Sequence, residues 1–271
     1  MGILNFYRDN EILYHHSIDE SKKAFNAHFH DMYEVLFVLS GEGNFCVEGN
    51  FYPFSSRRIF VTMPGETHVM QFSADQPYER VAVHFSKALI PGYAAFLLAP
   101  LKNRRLGTNN AYDFDRLAPS ANLMTAIPDH YRGEQLRTFI IARLLAFLCD
   151  LAAAHRTTDY KVCVPENPIQ NALGYISLHI FDDISLDDVA RAAYLSRSQL
   201  CRLFREQLGT TVFEYIRAKR LLAAKEMIAN GESAASACRK CGFGSYSTFY
   251  RNYVAFFDTS PGSCKKQPTA L

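Results

Sequence analysis

The C-terminal part of this 271-residue chain contains an internal repeat. Residues 185–211 and residues 233–260 follow one pattern at an offset of 48 residues, which becomes 49 after one extra residue in the second copy. Each copy has a segment rich in small residues, a short turn, and a helical segment with an arginine two positions after its apolar anchor, as in Leu200 and Arg202. A helix, a tight turn and a second helix that crosses the first make a helix-turn-helix. The repeat therefore predicts two helix-turn-helix units.

The outward faces of the two second helices suit DNA recognition. Small residues of each first helix, such as Ala190 and Ala237, allow the second helix to cross at close range. The second helix then presents arginine and short polar groups to a major groove that offers hydrogen-bond acceptors between rims of phosphate. A single face of this kind is also compatible with simple solvation, but two in one block favour DNA. The predicted DNA-contacting residues are Arg197, Ser198, Cys201, Arg202 and Arg205 in the first unit and Ser245, Tyr246, Ser247, Tyr250 and Arg251 in the second.

The positive charge of the chain is concentrated in the same block. The whole chain has a formal net charge of +2, whereas residues 191–266 carry 13 Lys and Arg against 5 Asp and Glu, a net charge of +8. A local excess of this size favours a polyanionic partner. Together with the repeat, it predicts that the C-terminal block binds double-stranded operator DNA.

Four motifs of this block resemble the AraC/XylS family of transcription regulators, and the resemblance extends over residues 169–266. The motifs are Ser196-x-x-x-Leu200-x-Arg202-x-Phe204, residues 209–224 (GTTVFEYIRAKRLLAA), residues 242–253 (GFGSYSTFYRNY) and Thr259-Ser260-Pro261. In that family a long helix, here predicted over residues 213–228, joins two helix-turn-helix units that enter successive major grooves. The resemblance implies control of a catabolic or transport operon, with sugars as the commonest effectors, and contact with RNA polymerase where the regulator is an activator.

Short strand patterns fill the first half of the chain. Runs rich in β-branched and aromatic residues are separated by turn residues, which is typical of a β-sandwich or a small barrel. The runs are residues 34–40, 44–47, 51–52, 58–62 and 79–85, with a hairpin turn at Gly49-Asn50 and another turn at Pro64-Gly65.

Histidines and a glutamate in this half match parts of two motifs of metal-binding cupins. His28, His30 and Glu34 have the spacing of the first motif, and residues 65–68 match part of the second. Strand alternation places His28 and His30 on one face. Sensor domains of AraC-type regulators commonly combine a cupin-like barrel with a similar stretch, so the resemblance implies an effector pocket. We expect no catalytic residue, no metal and no other cofactor there, and we expect the pocket to be lined by His28, His30, Glu34, His68 and His84.

A second interpretation is a metal-dependent cupin enzyme fused to a DNA-binding tail. Three imidazoles and a carboxylate can together hold a divalent transition metal. A cupin enzyme would leave the C-terminal repeat unexplained, and we therefore favour a regulator that is not an enzyme. Tightly bound metal together with turnover would distinguish the enzyme from the regulator.

An amphipathic helix is predicted over residues 136–151. Its apolar residues recur at steps of three and four, and three further apolar residues widen the apolar face. The breadth of this face is compatible with an ordinary core helix, or with a helix that packs both on the barrel and on a second copy of the chain. The second alternative predicts a homodimer with outward-facing Leu144 and Leu148 in its interface.

The chain lacks the patterns of a membrane or secreted protein. No apolar run reaches the ~18 residues that span a bilayer, and the first ten residues lack the basic and apolar segments of a secretory signal. The seven cysteines are an odd number and are scattered along the chain, which favours a reduced, cytoplasmic protein. Cys238 and Cys241 fall where the repeat has buried small residues, so we assign them to the core rather than to a zinc site.

These observations predict an α+β protein with two domains. Residues 1–160 form a cupin-like β-barrel with following helices, which senses a small molecule and dimerises. The polar residues 161–167 form a linker, and residues 168–271 form an all-α domain with two helix-turn-helix units. Within the second domain, Ser185 followed by Asp188 predicts the capped start of a helix.

Overall fold

The computed structural model describes residues 2–20, 27–55, 57–72, 77–102, 104, 106–128, 130–155 and 168–263. The chain divides into two compact units, Met1–Pro165 and Glu166–Leu271. The first contains sheets followed by helices and the second is helical, which confirms the predicted two-domain α+β class. The predicted linker, residues 161–167, lies outside the described residues, so its boundaries stay a prediction.

The described strands of the N-terminal unit form two antiparallel sheets. One sheet has the order β1-β2-β8-β3-β6-β9 and the other has the order β5-β4-β7. The expected barrel is therefore not closed, because these strands pair as two separate sheets. The strands are β1 (Gly2–Arg8), β2 (Ile12–Asp19), β3 (Tyr33–Ser40), β4 (Glu42–Val47), β5 (Asn50–Ser55), β6 (Arg58–Thr62), β7 (His68–Phe72), β8 (Tyr78–Phe85) and β9 (Ala111–Asp113).

All five predicted strand runs lie in observed strands, but β1, β2, β7 and β9 were not predicted. The predicted hairpin turn at Gly49-Asn50 is wrong by one residue. Glu48 and Gly49 form the turn, with φ angles of 49° and 76°, and Val47 pairs with Asn50. A two-residue hairpin turn of this type needs positive φ at both central positions. Asn50 instead starts β5, and its side-chain amide donates to the Gly107 carbonyl oxygen at 2.7 Å.

Strand β3 is covered on both of its faces. Val35 and Phe37 belong to an apolar cluster with the helices, and the Phe37 ring lies 5.0 Å from that of Phe147. Leu36 and Val38 belong to a second cluster with residues of the three-stranded sheet. A strand that is buried on both faces needs an almost continuous apolar run, which explains the sequence of residues 34–40. The helices of this unit are α1 (Ala99–Lys102), α2 (Ala118–Thr125) and α3 (Gly133–His155), with short 3₁₀ segments at Lys87–Leu89, Gly92–Leu98 and Asp115–Leu117.

Helix α3 contains the predicted helix at residues 136–151, but its apolar stripe faces inward. The prediction that Leu144 and Leu148 face outward is wrong, because both are 0% exposed within the core of the N-terminal unit. The stripe is broad because α3 packs against α1, α2 and two of the 3₁₀ segments as well as under the sheet. The exposed side of α3 instead carries mostly small residues, together with the charged Asp150; the small residues are Ala142, Ala146, Cys149 and Ala153.

The C-terminal unit contains two helix-turn-helix units joined by one long helix, as predicted. The predicted capped start at Ser185 is confirmed, because Ser185 and Asp188 form a reciprocal capping box. Among the described helices of both units, none combines the length and the apolar character that crossing a membrane requires. The helices are α4 (Pro168–Leu178), α5 (Leu186–Ala192), α6 (Arg197–Leu208), α7 (Val212–Ala229), α8 (Ala234–Lys240) and α9 (Tyr246–Phe257).

Small residues fill the crossings within each helix-turn-helix unit. Ala190 and Ala237 are 4% and 0% exposed, so each first helix lets its second helix approach closely. Cys238 and Cys241 are buried in the core of the second unit, which confirms their assignment to packing. Burial raises the pKa of the Cys241 thiol to about 11, so it stays protonated at neutral pH.

Candidate functional sites

Helix α6 is the second helix of the first helix-turn-helix unit. Its start is fixed by a capping box between Ser196 and Gln199. Leu200, Phe204 and Leu208 are buried, and they turn the opposite face of the helix to solvent. That exposed face carries four of the predicted DNA-contacting residues, while Cys201 is half-buried; the four are Arg197, Ser198, Arg202 and Arg205.

Arg197 is exposed but ion-paired. Its guanidinium donates to both carboxylate oxygens of Asp187, at the start of α5. The pair ties α6 to α5, and hydrogen bonding to Asp187 raises the pKa of the Arg197 guanidinium. A phosphate contact by Arg197 would therefore be shared with Asp187, whereas Arg202 and Arg205 have no such contact among the described interactions.

Helix α9 is the counterpart of α6 in the second unit. The Ser245 hydroxyl accepts from the Thr248 backbone N–H at its start, and Phe249 and Tyr253 are buried. The second unit thus presents tyrosine rings and hydroxyl groups beside one arginine, Arg251, whereas the first unit presents three arginines. All five predicted DNA-contacting residues of this unit are exposed, namely Ser245, Tyr246, Ser247, Tyr250 and Arg251.

The two units share the geometry of their turns. Tyr194 and Gly242 stand 48 residues apart, and both have left-handed backbone conformations, with φ angles of 57° and 71°. In each unit the N–H of the next residue donates to a carbonyl oxygen five positions earlier, at 2.9 Å in the first unit and 3.1 Å in the second. The repeat in the sequence is therefore a repeat in backbone structure.

A cavity of about 330 Å³ lies in the N-terminal unit and is bordered by strands of both sheets. Pockets of ~300–1,000 Å³ are usual for small-molecule ligands. The residues predicted for effector binding include four that line it, namely His28, Glu34, His68 and His84. The predictions missed the other lining residues, which are Phe6, Leu13, His15, Leu36, Phe45, Met70, Arg80 and Ala82.

Glu34 is the centre of a histidine cluster at this cavity. One carboxylate oxygen, Oε2, lies 3.0 Å from Nε2 of His68 and 3.2 Å from Nε2 of His30. The other, Oε1, lies 3.5 Å from Nε2 of His84, which stands opposite Glu34 in the pairing of β3 with β8. His30 therefore belongs to the cluster through its contact with Glu34, although it does not line the cavity.

His28 and His30 reach the cluster without the regular strand that alternation predicted. Residue 28 makes a single isolated β-bridge to residue 68, and the rings of His28 and His68 lie 4.5 Å apart. The His30 ring lies 5.1 Å from that of His68 and 4.7 Å from that of His84. All five predicted side chains thus come together at one place.

The cluster sets the protonation of its members. Burial by itself would raise the pKa of Glu34, but His84 and His68 outweigh burial and hold it well below its ordinary value. Burial lowers and Glu34 raises the pKa of His68, with a net rise. Burial lowers the pKa of His84 to about 4. At neutral pH the cavity therefore offers a carboxylate next to a neutral His84 imidazole.

The same side chains have the composition of a metal site. The ligand atoms of His28, His30 and His68 lie within 4.8 Å of one another, and so do those of His30, Glu34 and His84. Imidazole and carboxylate ligands suit zinc, iron, nickel or copper. Such an ion, when bound, would act as a Lewis acid at the cavity wall. The expectation that the site functions without metal stays a prediction.

A buried ion pair holds His68 in place. Nη2 of Arg104 donates to Oε2 of Glu66 at 2.5 Å, and both side chains are 0% exposed. The Glu66 carboxylate also accepts the backbone N–H groups of Met63 and Gly107. The ring of His68 donates from Nδ1 to the Glu66 carbonyl oxygen at 2.8 Å. Glu66 therefore positions a cavity residue, although it is not among the predicted effector-binding residues.

Some of the missed lining residues could have been predicted from the sequence, because they recur with the period of a strand. Arg80, Ala82 and His84 follow one another at steps of two along β8, and Leu13 and His15 do the same along β2. Once His84 is assigned to the cavity, the period of two assigns Ala82 and Arg80 as well. The residues on β2 could not be found this way, because that strand was not predicted.

Each of the two units matches the model of a known domain family. The model of the AraC-like ligand binding domain matches residues 12–111, and that of a helix-turn-helix domain matches residues 189–267. The regulatory protein PocR of Salmonella typhimurium is 27% identical over 156 residues, which cover 57% of this chain and 50% of PocR. The xylose operon regulatory protein of Escherichia coli is 34% identical over 107 residues, which cover 39% of this chain and 27% of that protein.

One relative aligns along almost the whole chain. The HTH-type transcriptional activator RhaS of Citrobacter koseri is 21% identical over 256 residues, which cover 92% of this chain and 91% of RhaS. By contrast, the matched segments span half or less of PocR and of the xylose operon regulator. All three relatives are named as regulators and none as an enzyme, in agreement with the predicted class of protein. With its matched ligand-binding and helix-turn-helix domains, the chain belongs to the AraC/XylS family of transcription regulators.

Proposed function

We propose that this protein is a sequence-specific DNA-binding transcription regulator that responds to a small molecule in its N-terminal cavity. The observation that carries the proposal is the repeated helix-turn-helix with an exposed arginine at the equivalent position of each second helix, Arg202 and Arg251. The block around them has a net charge of +8 over residues 191–266. Its partners in this proposal are operator DNA, the small molecule and, where it activates, RNA polymerase.

In vitro selection from random duplexes tests the DNA part of this proposal. The full chain should enrich one sequence class, and its affinity should fall steeply with salt, because phosphate contacts release counterions. Competition by random duplex at equal strength would contradict sequence-specific recognition. A salt-independent affinity would contradict binding through the basic block.

For the effector we propose a small polar molecule of the sugar class. The cavity combines imidazole, carboxylate and guanidinium groups for hydroxyl groups with two aromatic rings for an apolar face, from Phe6 and Phe45. Its volume of about 330 Å³ limits the ligand to a small molecule. The name of the xylose operon regulatory protein is compatible with this class.

Titration calorimetry with a panel of monosaccharides tests the effector class. Glu34→Ala should abolish the heat of binding of the active sugar, because it removes the hydrogen-bond acceptor at the centre of the cluster. His16→Ala is the matched control, since His16 lies on β2 beside His15 but pairs with Glu79 away from the cavity lining. If Glu34→Ala and His84→Ala both respond like the unmodified chain, the effector binds elsewhere. If only non-sugar metabolites bind, the sugar class is wrong.

Ligand control requires two arrangements of the regulator with different affinities for the effector. A ligand shifts only an equilibrium in which it binds one state better than the other. We propose that the occupied cavity favours the arrangement in which both helix-turn-helix units engage the operator. The effector and the operator should then strengthen each other's binding by the same factor. Equal operator affinity with and without saturating effector would contradict this coupling.

We further propose that the N-terminal domain forms the homodimer contact, now through the exposed side of α3. Ala142 and Ala146 lie on that side, and small residues allow a second helix to approach closely. Ala146→Glu should shift the full chain from dimer to monomer in sedimentation, because a buried unpaired carboxylate is costly. Gln135→Glu, exposed in the first turn of the same helix, is the control. A monomeric unmodified chain at micromolar concentration would remove the dimer.

A further inference from the structure

The two helix-turn-helix units have separate apolar cores. One core contains residues 169–216 and ends on the first half of α7 with Val212, Tyr215 and Ile216. The other begins on the second half of α7 with Leu221 and continues to residue 253. Apolar packing therefore holds each unit to its own half of α7, and contacts at the boundary between the halves have to fix one unit against the other.

Arg220 stands at that boundary and contacts both units. Its Nε donates to the carbonyl oxygen of Ile180 at 2.9 Å, and its Nη2 donates to that of Asp182 at 2.5 Å. Both carbonyl groups belong to the connection between α4 and α5 in the first unit. Its Nη1 donates to the carbonyl oxygen of Gly242 at 3.0 Å, in the turn between α8 and α9. One guanidinium group thus binds a loop from each unit.

The chemistry of this contact requires arginine. The three nitrogens of a guanidinium lie in one plane and donate in fixed directions, whereas a lysine ammonium is a single point on a flexible stem. Gly242 completes the fit from the other side. A Cβ atom at residue 242 would lie 3.0 Å from Cζ and Nη1 of Arg220, and the backbone there has a φ of 71° that favours glycine. The turn that starts the second recognition helix is therefore shaped around the guanidinium.

We propose that Arg220 is a positioning residue that fixes the rotation between the two recognition helices and so selects the spacing of the two DNA sub-sites. The inference depends on the proposed function, since both units must bind DNA. In a rigid pair, the second unit reaches its sub-site only when the two sub-sites face one side of the duplex. Successive major grooves on one side are about 10–10.5 base pairs apart. Without Arg220, α7 would still connect the units, but their relative rotation would vary.

The test compares a two-sub-site duplex, selected in vitro with the unmodified chain, with the same duplex carrying five extra base pairs between the sub-sites. The unmodified chain should prefer the first duplex by about a hundredfold or more, the usual gain from two linked contacts. Arg220→Met and Arg220→Lys should both reduce that preference to about tenfold or less, because the in-phase duplex loses affinity and the out-of-phase duplex gains it. Arg217→Met, exposed on the same helix, removes the same charge and should leave the preference unchanged.

The outcomes separate the inference from the proposed function. If the unmodified chain shows no preference between the two duplexes, only one unit binds and the proposed two-unit recognition is wrong. If the unmodified chain shows the preference and a folded Arg220 variant keeps it, the positioning role is wrong. Helical circular dichroism and cooperative melting identify the folded variants. Gly242→Ala crowds the same contact from the other side and should reduce the preference in the same direction; an undiminished preference there would also overturn the inference.

Discussion

Replacing Glu66 by alanine should destabilise the N-terminal domain more than any exposed substitution, although Glu66 does not line the cavity. The Glu66 carboxylate accepts from Arg104, from two backbone N–H groups and from Asn110, and the Glu66 and Arg104 side chains are 0% exposed. Glu66→Ala would leave the Arg104 guanidinium buried without its carboxylate. Breaking a buried pair in this way costs about 3–5 kcal/mol. For a domain of this size, each kcal/mol corresponds to about 2–4 °C in melting temperature.

The expected fall in melting temperature is therefore about 6–20 °C. Scanning calorimetry of the full chain measures it, and hydrogen exchange of the β-strand amides assigns the transition to the N-terminal domain. Asp115→Ala is the control, because Asp115 pairs with Arg57 at 3.0 Å on the surface, where the two side chains are 75% and 49% exposed. An exposed pair contributes about 0–1 kcal/mol.

A double variant tests whether the unpaired buried charge causes the loss of stability. Glu66→Leu combined with Arg104→Met replaces both charges by apolar groups, so it should melt well above Glu66→Ala. A shift for Glu66→Ala no larger than that for Asp115→Ala would refute the claim that this pair holds the domain together. A double variant that melts below Glu66→Ala would show that the shape of the network matters more than the unpaired charge.

Three further predictions concern the DNA surface, the cavity and the metal. Arg202→Ala should weaken operator binding and relax base preference in one sub-site, and Arg251→Ala should do the same in the other sub-site, by about 1–3 kcal/mol each. Binding assays with mutated sub-sites measure both effects, and a variant with unchanged base preference would contradict the role assigned to its arginine. The pKa of His84 is about 4 in the folded chain, below its ordinary value of about 6.5. As pH falls from 6.5, the unfolded chain therefore binds a proton before the folded chain does. The free energy of unfolding should then decrease between pH 6.5 and 4, by at most about 3 kcal/mol. His84→Gln should flatten that decline in urea titrations, and an equal decline in the variant contradicts it. Chelator should leave the melting of the purified chain unchanged, whereas a fall would show that the histidine cluster holds a structural metal.

Local periodicity was sufficient to predict the helical half of the fold. The Ser185 cap, the long helix α7 and the burial of Ala190 and Ala237 all depend on residues within a few turns of one another. Each of these features depends on the spacing of residues along a single helix or turn. Because the pattern occurs in both copies of the repeat, each copy supports the prediction for the other. The strand runs at residues 34–40 and 79–85 were found for the same reason, since each is a short apolar segment bounded by turn residues.

The predicted cavity residues came from motif resemblance, and the structure brings them together through long-range pairing. His68 and His84 are 34 and 50 residues from Glu34, and only the pairing of β3 with β8 and the bridge at residue 28 place them within 3.5 Å of its carboxylate. Strands β1 and β2 were missed because their residues mix polar and apolar types without a clear run. The cavity residues on those strands could not be found without them.

The sequence by itself determined the two helix-turn-helix units, the faces they expose and the family to which the chain belongs, because helix periods, caps and turns are encoded within a few residues. Only the tertiary structure decided which segment covers each apolar surface and which partner each buried polar side chain has. It turned Leu144 and Leu148 inward and opened the expected barrel into two sheets. It also joined Glu66 to Arg104, and Arg220 to both helix-turn-helix units. Each of these outcomes depends on which distant segments pair, and the burial of a side chain depends on the segment that covers it.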